Sequence, residues 1–137
     1  MRSFHFEAHT ADIRMRISGE TLPELFKVAM EGMAELISKG SVKKGKFLAS
    51  YDIFVSSENS TFLLIDFLSE ILTLSHIHHM IFGEVEFLKF DETALKARIG
   101  GRKVKKFEED LKAVSYHEAG IRKNSHGLYE TVIVFDI

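Results

Sequence analysis

The chain has 137 residues, of which 45% are hydrophobic and 28% charged, the balance of an ordinary globular domain. It contains no Cys, so disulfides, thiolate catalysis and cysteine-based zinc sites are excluded. A net charge of −2 argues against a broad RNA-binding face, because a surface that grips many phosphates is basic. With no repeat, low-complexity tract or linker, the sequence predicts a single domain over residues 1–137.

Targeting and membrane signals are weak. The first residues lack the apolar segment of a signal peptide. The most apolar stretch, residues 62–82, carries Asp66, Glu70 and three histidines, and ionisable groups are costly in lipid. We therefore expect a buried helix and no membrane contact. The absence of Cys is compatible with the cytoplasm, the localisation that we predict.

The predicted elements begin with two strands, residues 4–8 and 13–17, joined by a short polar loop. Thr21 with Glu24 forms a capping box that starts a helix, and Gly40 is a suitable stop. A strand over residues 47–56 leads to N-cap candidates at residues 57–60 and a second helix with a wide apolar stripe. Five further strands are predicted at 84–90, 94–99, 111–118, 121–123 and 128–137, with a hairpin turn at 124–127.

This order predicts an α+β fold, a two-layer sandwich with two helices packed on one face of a mixed, largely antiparallel sheet.

Two features could carry chemistry. Asp12 lies in a short loop between apolar strands, where a turn Asp that caps its own backbone is the simpler interpretation. The last predicted strand ends in Asp136 and Ile137, so a side-chain carboxylate and the terminal carboxylate are adjacent hard-oxygen ligands. An ordinary terminal strand or a truncated chain is the alternative there.

Two other clusters are weaker candidates. His76, His78 and His79 lack further metal donors nearby, so we expect a solvated helix end. The Lys-rich segments 43–46 and 102–106 are expected to be solvated loops that could touch a nucleic acid or an acidic partner.

Motifs in order along nearly the whole chain resemble those of the archease family. They are His9-Thr10-Ala11-Asp12-Ile13, residues 19–26 (GETLPELF), residues 63–72 (LLIDFLSEIL), residues 112–117 (KAVSYH) and the ending residues 135–137 (FDI). Four positions depart from the family pattern. Three of them are at packing or cap positions: Phe67 replaces Trp, Ser69 replaces Asn and Ser115 replaces Thr. The fourth, Gly101, lies in a predicted loop where an acidic residue is common in the family, and this difference weakens any functional role for that loop.

The resemblance implies a function and a set of residues. Archeases are protein cofactors of RtcB-type RNA ligases, which join RNA ends in tRNA splicing, and they promote ligase guanylylation and multiple turnover. The family's metal site corresponds to Asp12 and Asp136, with the terminal carboxylate belonging here to Ile137. The functional Lys corresponds to Lys112, and His9 of the opening motif joins it as a residue expected to act toward the partner.

The sequence therefore predicts an accessory protein and no enzyme. It would bind a divalent cation, calcium first, with magnesium or manganese as alternatives, and would reach tRNA through the ligase. The competing hypotheses are a metal-dependent phosphoesterase that uses the same carboxylates, and a general RNA-processing chaperone or RNA-binding module. The oligomeric state is left open.

Overall fold

The computed structural model of the chain describes residues 2–8, 12–40, 47–117 and 120–137, which form two helices and eight strands. In chain order these are β1 Ser3–Ala8, β2 Asp12–Gly19, α1 Leu22–Ile37, β3 Ala49–Ser56, α2 Ser60–His78, β4 Met80–Phe90, β5 Ala94–Lys103, β6 Ala113–Tyr116, β7 Arg122–Lys123 and β8 Tyr129–Asp136. The predicted α+β class is confirmed.

The strands divide between two sheets. β1, β2, β8 and β6 lie side by side in a five-stranded sheet whose fifth strand, β7, also pairs with β8. β3, β5 and β4 form a separate three-stranded sheet. Every strand pairing in the described part of the chain is antiparallel. The single mixed sheet of the prediction is thus corrected to two antiparallel sheets, because alternation identifies a strand and its buried face but not its partner.

Each helix contacts both sheets. α1 packs on β1, β2 and β8 of the larger sheet and on β4 of the smaller one. α2 packs on β6 of the larger sheet and on β3 and β4 of the smaller one. Contrary to the prediction, the helices therefore do not cover one face of a single sheet. Their wide apolar surfaces join the two sheets into one core.

The caps of α1 follow the predicted chemistry. The Thr21 hydroxyl accepts a hydrogen bond from the Glu24 N–H at 3.2 Å, and the Glu24 carboxylate accepts one from the Glu20 N–H at 2.8 Å. The helix ends at Ile37, and Gly40 lies in the following turn with a φ of +78°, a conformation that favours glycine.

The second helix has the length and composition of a membrane span, and one side of it packs into the protein core. Asn59 caps its first turn by accepting from the Phe62 N–H at 2.9 Å. Leu63, Phe67 and Ile71 are at most 1% exposed, in agreement with the predicted buried helix.

Candidate functional site

Two acidic residues from opposite ends of the sequence meet at one edge of the five-stranded sheet. Asp12 is the first residue of β2 and Asp136 the last of β8, and the two are direct partners in the antiparallel register. Residues directly opposite each other in such a pair have Cβ atoms about 4.5–5.5 Å apart on the same face. The two carboxylates therefore emerge side by side.

The alternation of apolar residues fixes this placement. On β2, Met15 and Ile17 are at most 1% exposed and face the core, which leaves Asp12 on the outer face. On β8, Ile133 and Phe135 are fully buried, and Asp136 is exposed. A slip of one residue would bury the acids and expose the core side chains, so the hydrophobic pattern keeps both acids on the outer face.

The pairing of two acidic residues across the sheet is electrostatically unfavourable. Like charges directly opposite each other in a sheet are destabilising. In addition, Asp12 Oδ1 is buried and has no hydrogen-bond partner among the residues that the structure describes. A buried carboxylate oxygen without a donor is unfavourable. A bound cation would remove both penalties.

The donor set fits a hard divalent cation. Over residues 2–8, 12–40, 47–117 and 120–137, no three His, Cys, Asp or Glu side chains are grouped so as to hold a metal. Ligands beyond Asp12 and Asp136 would thus be main-chain carbonyls or water. Calcium and magnesium accept all of these oxygen ligands.

Lys112 lies at the same edge. Its main-chain N–H donates to the Asp136 carbonyl at 2.8 Å, and its neighbour Ala113 is the register partner of Asp136. The Lys112 side chain is exposed. The structure thus brings together the positions of Asp12, Asp136, Ile137 and Lys112, whereas His9 lies outside the described residues.

The three histidines at the end of α2 make aromatic contacts. The His76 ring meets the Phe107 ring edge-on at 5.5 Å, and its Nε2 lies 2.9 Å from a main-chain carbonyl ahead of β6. His78 stacks on Tyr51 at 4.7 Å, and His79 stacks on Phe107 at 5.8 Å. His76 and His79 are exposed and His78 is half-buried, in agreement with the expected solvated helix end. The aromatic rings that the three histidines contact gave no local sequence signal.

The departure at Gly101 has a steric cause. Gly101 lies in β5, not in a loop as predicted, and it is buried. A Cβ at this position would lie 2.6 Å from the Phe82 ring and 2.8 Å from the Ile81 carbonyl oxygen. An acidic side chain does not fit here, so the glycine is explained by packing.

Sequence reasoning missed a group of basic residues on the outer face of the same sheet. Arg14 and Arg16 of β2 and Arg122 of β7 line one pocket. The alternation of Arg14 and Arg16 with core residues was visible in the sequence, but nothing linked Arg122 to them. Of the predicted Lys-rich segments, Lys105 and Lys106 are exposed, and residues 43–46 lie outside the described part of the chain.

These features define an α+β protein with two helices joining two antiparallel sheets and an acidic pair at one sheet edge. Residues 4–137 match the model of the Archease protein family (MTH1598/TM1083). The chain is 32% identical to "Protein archease" of Thermococcus kodakarensis, with 100% of both chains covered. It is 33% identical to "Protein archease" of Pyrococcus abyssi, with 97% of this chain and 96% of the relative covered.

Solved structures share the fold. The solution structure of Methanobacterium thermoautotrophicum protein 1598 superposes with a TM-score of 0.78 at 24% identity, covering 98% of each chain. The crystal structure of a Thermotoga maritima archease, described as a possible chaperone, gives a TM-score of 0.67 at 22% identity, covering 96% of this chain and 94% of that one. The chain belongs to the archease family.

Proposed function

We propose that the chain is a cytoplasmic protein cofactor that activates an RtcB-type RNA ligase by promoting its guanylylation and multiple turnover. Membership of the archease family and the motifs around Asp12, Lys112 and Asp136 support this function. The observation that carries it is the direct register pairing of Asp12 with Asp136, where one buried Asp12 oxygen has no partner among the described residues. In this proposal, tRNA is reached through the ligase.

The proposal includes a divalent cation, with calcium favoured over magnesium or manganese. Asp12, Asp136 and the carboxylate of Ile137 would hold it. A bound cation of this kind neutralises phosphate charge and thereby lowers the barrier to nucleotidyl transfer. The buried Phe135 anchors the end of β8 directly before Asp136.

Lys112 supplies the positive charge of the proposed contact. Its ammonium group is exposed at the carboxylate edge, where it can approach a phosphate or an acidic side chain of the ligase. The hydrogen bond from its N–H to Asp136 ties its position to β8. A positive group and a carboxylate pair on one edge can therefore engage the same partner.

The test is multiple-turnover ligation with limiting purified ligase and excess broken tRNA. The parent protein is expected to restore repeated turnover and to increase guanylylation of the ligase. Asp12→Asn and Lys112→Ala should each abolish most of this stimulation. Lys96→Ala is the matched control, because Lys96 is an exposed lysine on β5 of the other sheet.

Equal stimulation by the parent, Asp12→Asn and Lys112→Ala proteins would refute the proposal. Hydrolysis of a generic phosphoester by the isolated chain would instead favour the phosphoesterase hypothesis. That chemistry needs a general base near the metal, and among the described residues no third His, Asp or Glu joins Asp12 and Asp136.

A further inference from the structure

The peptide unit between Leu111 and Lys112 is held from both sides. Its N–H, that of Lys112, donates to the main-chain carbonyl of Asp136 at 2.8 Å. Its carbonyl, that of Leu111, lies 2.9 Å from Nε2 of His76 on α2. A carbonyl oxygen only accepts hydrogen bonds, so Nε2 of His76 carries the hydrogen and donates it. One peptide unit therefore links α2 to the end of β8.

Packing fixes both partners of the bond from α2. The His76 ring meets the Phe107 ring edge-on, with the ring centroids 5.5 Å apart, and this contact restricts rotation of the imidazole. The Leu111 side chain is 1% exposed and belongs to the hydrophobic core. The donor and the acceptor are thus held in place within the folded chain, as a preorganised support requires.

The planarity of the peptide unit couples its two hydrogen bonds. Because the C–N bond does not rotate freely, the direction of the Leu111 carbonyl also sets the direction of the Lys112 N–H. Removal of the His76 donor would free the carbonyl side of this plane and weaken the bond to Asp136. The His76 side chain therefore stabilises the backbone from which the Lys112 side chain extends.

The Lys112 side chain depends on this backbone for its position. It is exposed, and its ammonium group is carried on a flexible four-carbon stem, so only the main chain fixes where the charge starts. The neighbouring His78 instead stacks on Tyr51 of β3, in the other sheet. We propose that His76 is a positioning residue for ligase activation, which fixes Lys112 beside the acidic pair through the Leu111–Lys112 peptide.

This role of His76 rests on the proposed function, in which Lys112 contacts the ligase. The two are separable because the state of the Lys112 amide can be measured on the isolated chain. A parent protein that fails to stimulate the ligase would overturn the proposed function and the role of His76 together. Normal stimulation by a His76 variant that loosens the Lys112 amide would overturn the role of His76 alone.

The experiment combines two measurements on the full chain. Hydrogen exchange of the Lys112 amide is followed by NMR without ligase, and the protein concentration for half-maximal stimulation is measured with limiting ligase. His76→Phe keeps an aromatic ring on Phe107 but has no donor. It should raise both the exchange rate and the half-maximal concentration about two- to tenfold, the effect of one hydrogen bond.

Two further variants separate the hydrogen bond from general stability. His76→Gln, whose amide can donate from a similar position, should restore both values most of the way to those of the parent. His78→Phe is the matched control, because it makes the same change two residues away and keeps a ring on Tyr51, and it should behave like the parent.

Four results would each overturn the role of His76. They are parental exchange of Lys112 in His76→Phe, an equal rise in exchange at all amides, failure of His76→Gln to improve on His76→Phe, and an equal effect of His78→Phe. A rise confined to Lys112 and its hydrogen-bonded neighbours, reversed by Gln and accompanied by weaker stimulation, is the result expected of a positioning residue.

Discussion

The outer faces of the two sheets distribute their charges in opposite ways. In the three-stranded sheet, Arg98 on β5 has Asp52 as its register partner on β3 and Glu86 as its partner on β4. Arg98 Nε lies 2.9 Å from Asp52, and Arg98 Nη1 lies 4.0 Å from Glu86. In the five-stranded sheet, Asp12 has another acid, Asp136, as its partner.

Arg98 has oppositely charged partners within its own sheet, whereas the two acids Asp12 and Asp136 would need a ligand to balance their charge. The Arg98 guanidinium beside Asp52 lowers the pKa of that carboxyl, and the carboxylate in turn raises the pKa of Arg98. Arg98 and its two acidic partners on the smaller sheet thus satisfy one another, although exposed pairs of this kind stabilise a fold only slightly. On the larger sheet, one buried oxygen of Asp12 and the buried Nε of Arg14 have no hydrogen-bond partner among the described residues.

The largest expected effect is a loss of stability caused by a substitution in the three-stranded sheet. Gly101→Asp should lower the free energy of unfolding by on the order of 3–5 kcal/mol, because it forces a charge into the Phe82 ring and the Ile81 carbonyl. Urea unfolding measures the loss. Gly100→Asn is the control, since the atoms nearest to a Cβ there lie at 3.4 Å and a neutral side chain is not repelled by Glu84, so it should cost less than about 1 kcal/mol. Equal losses in both variants would contradict the steric explanation.

A smaller and opposite response is expected at the acidic pair. Asp136→Asn should weaken calcium binding at least about 100-fold, since even supporting groups around a metal contribute 10–100-fold. In chelator, the same variant should be as stable as the parent or more stable by about 0.2–1 kcal/mol, because a like-charge contact is removed. Calorimetric titration and urea unfolding provide the two measurements.

Asp52→Asn is the control for that prediction and should leave calcium affinity unchanged. A marked loss of stability in metal-free Asp136→Asn would show that Asp136 is structural and would break the contrast between the sheets.

The smallest effect concerns pH. The pKa of Asp52 in the folded chain lies below its ordinary value of 3.8, so its contribution is present above that pH and is lost as the pH falls through it and below. Asp52→Asn should therefore make the acid-side decline in stability shallower. Unfolding midpoints at pH 6 and pH 3 measure the slope, and identical slopes in parent and variant would show that the Arg98 pair contributes nothing.

Local chemistry made much of the fold predictable. The Thr21–Glu24 cap, the alternation on β2 and the wide stripe of α2 each predicted an element that the structure contains. Strand partners were not predictable, because pairing depends on contacts distant in sequence. For that reason the two sheets, the position of Gly101 in β5 and the stacking of His79 on Phe107 appeared only in the structure.

The candidate site was predictable for a different reason. From residue types alone, the simpler interpretations were that Asp12 is a turn residue and that Asp136 belongs to an ordinary terminal strand. The resemblance to archeases identified the two residues as a candidate metal site. The hydrophobic pattern of both strands places the two acids on the outer face, and the structure supplies the register that pairs them. The arginine pocket could not be predicted from the sequence, because β7 is two residues long and its residues show almost no alternation.

The central position of β8 has a consequence for biosynthesis. β8 pairs with β2, β6 and β7, so the five-stranded sheet cannot assemble until residues 129–136 have left the ribosome. Until then one edge of β2 lacks its neighbour, and open strand edges invite aggregation. A polypeptide released early would lack both the acidic pair and the complete arginine pocket, so an unfinished copy cannot compete with the mature protein.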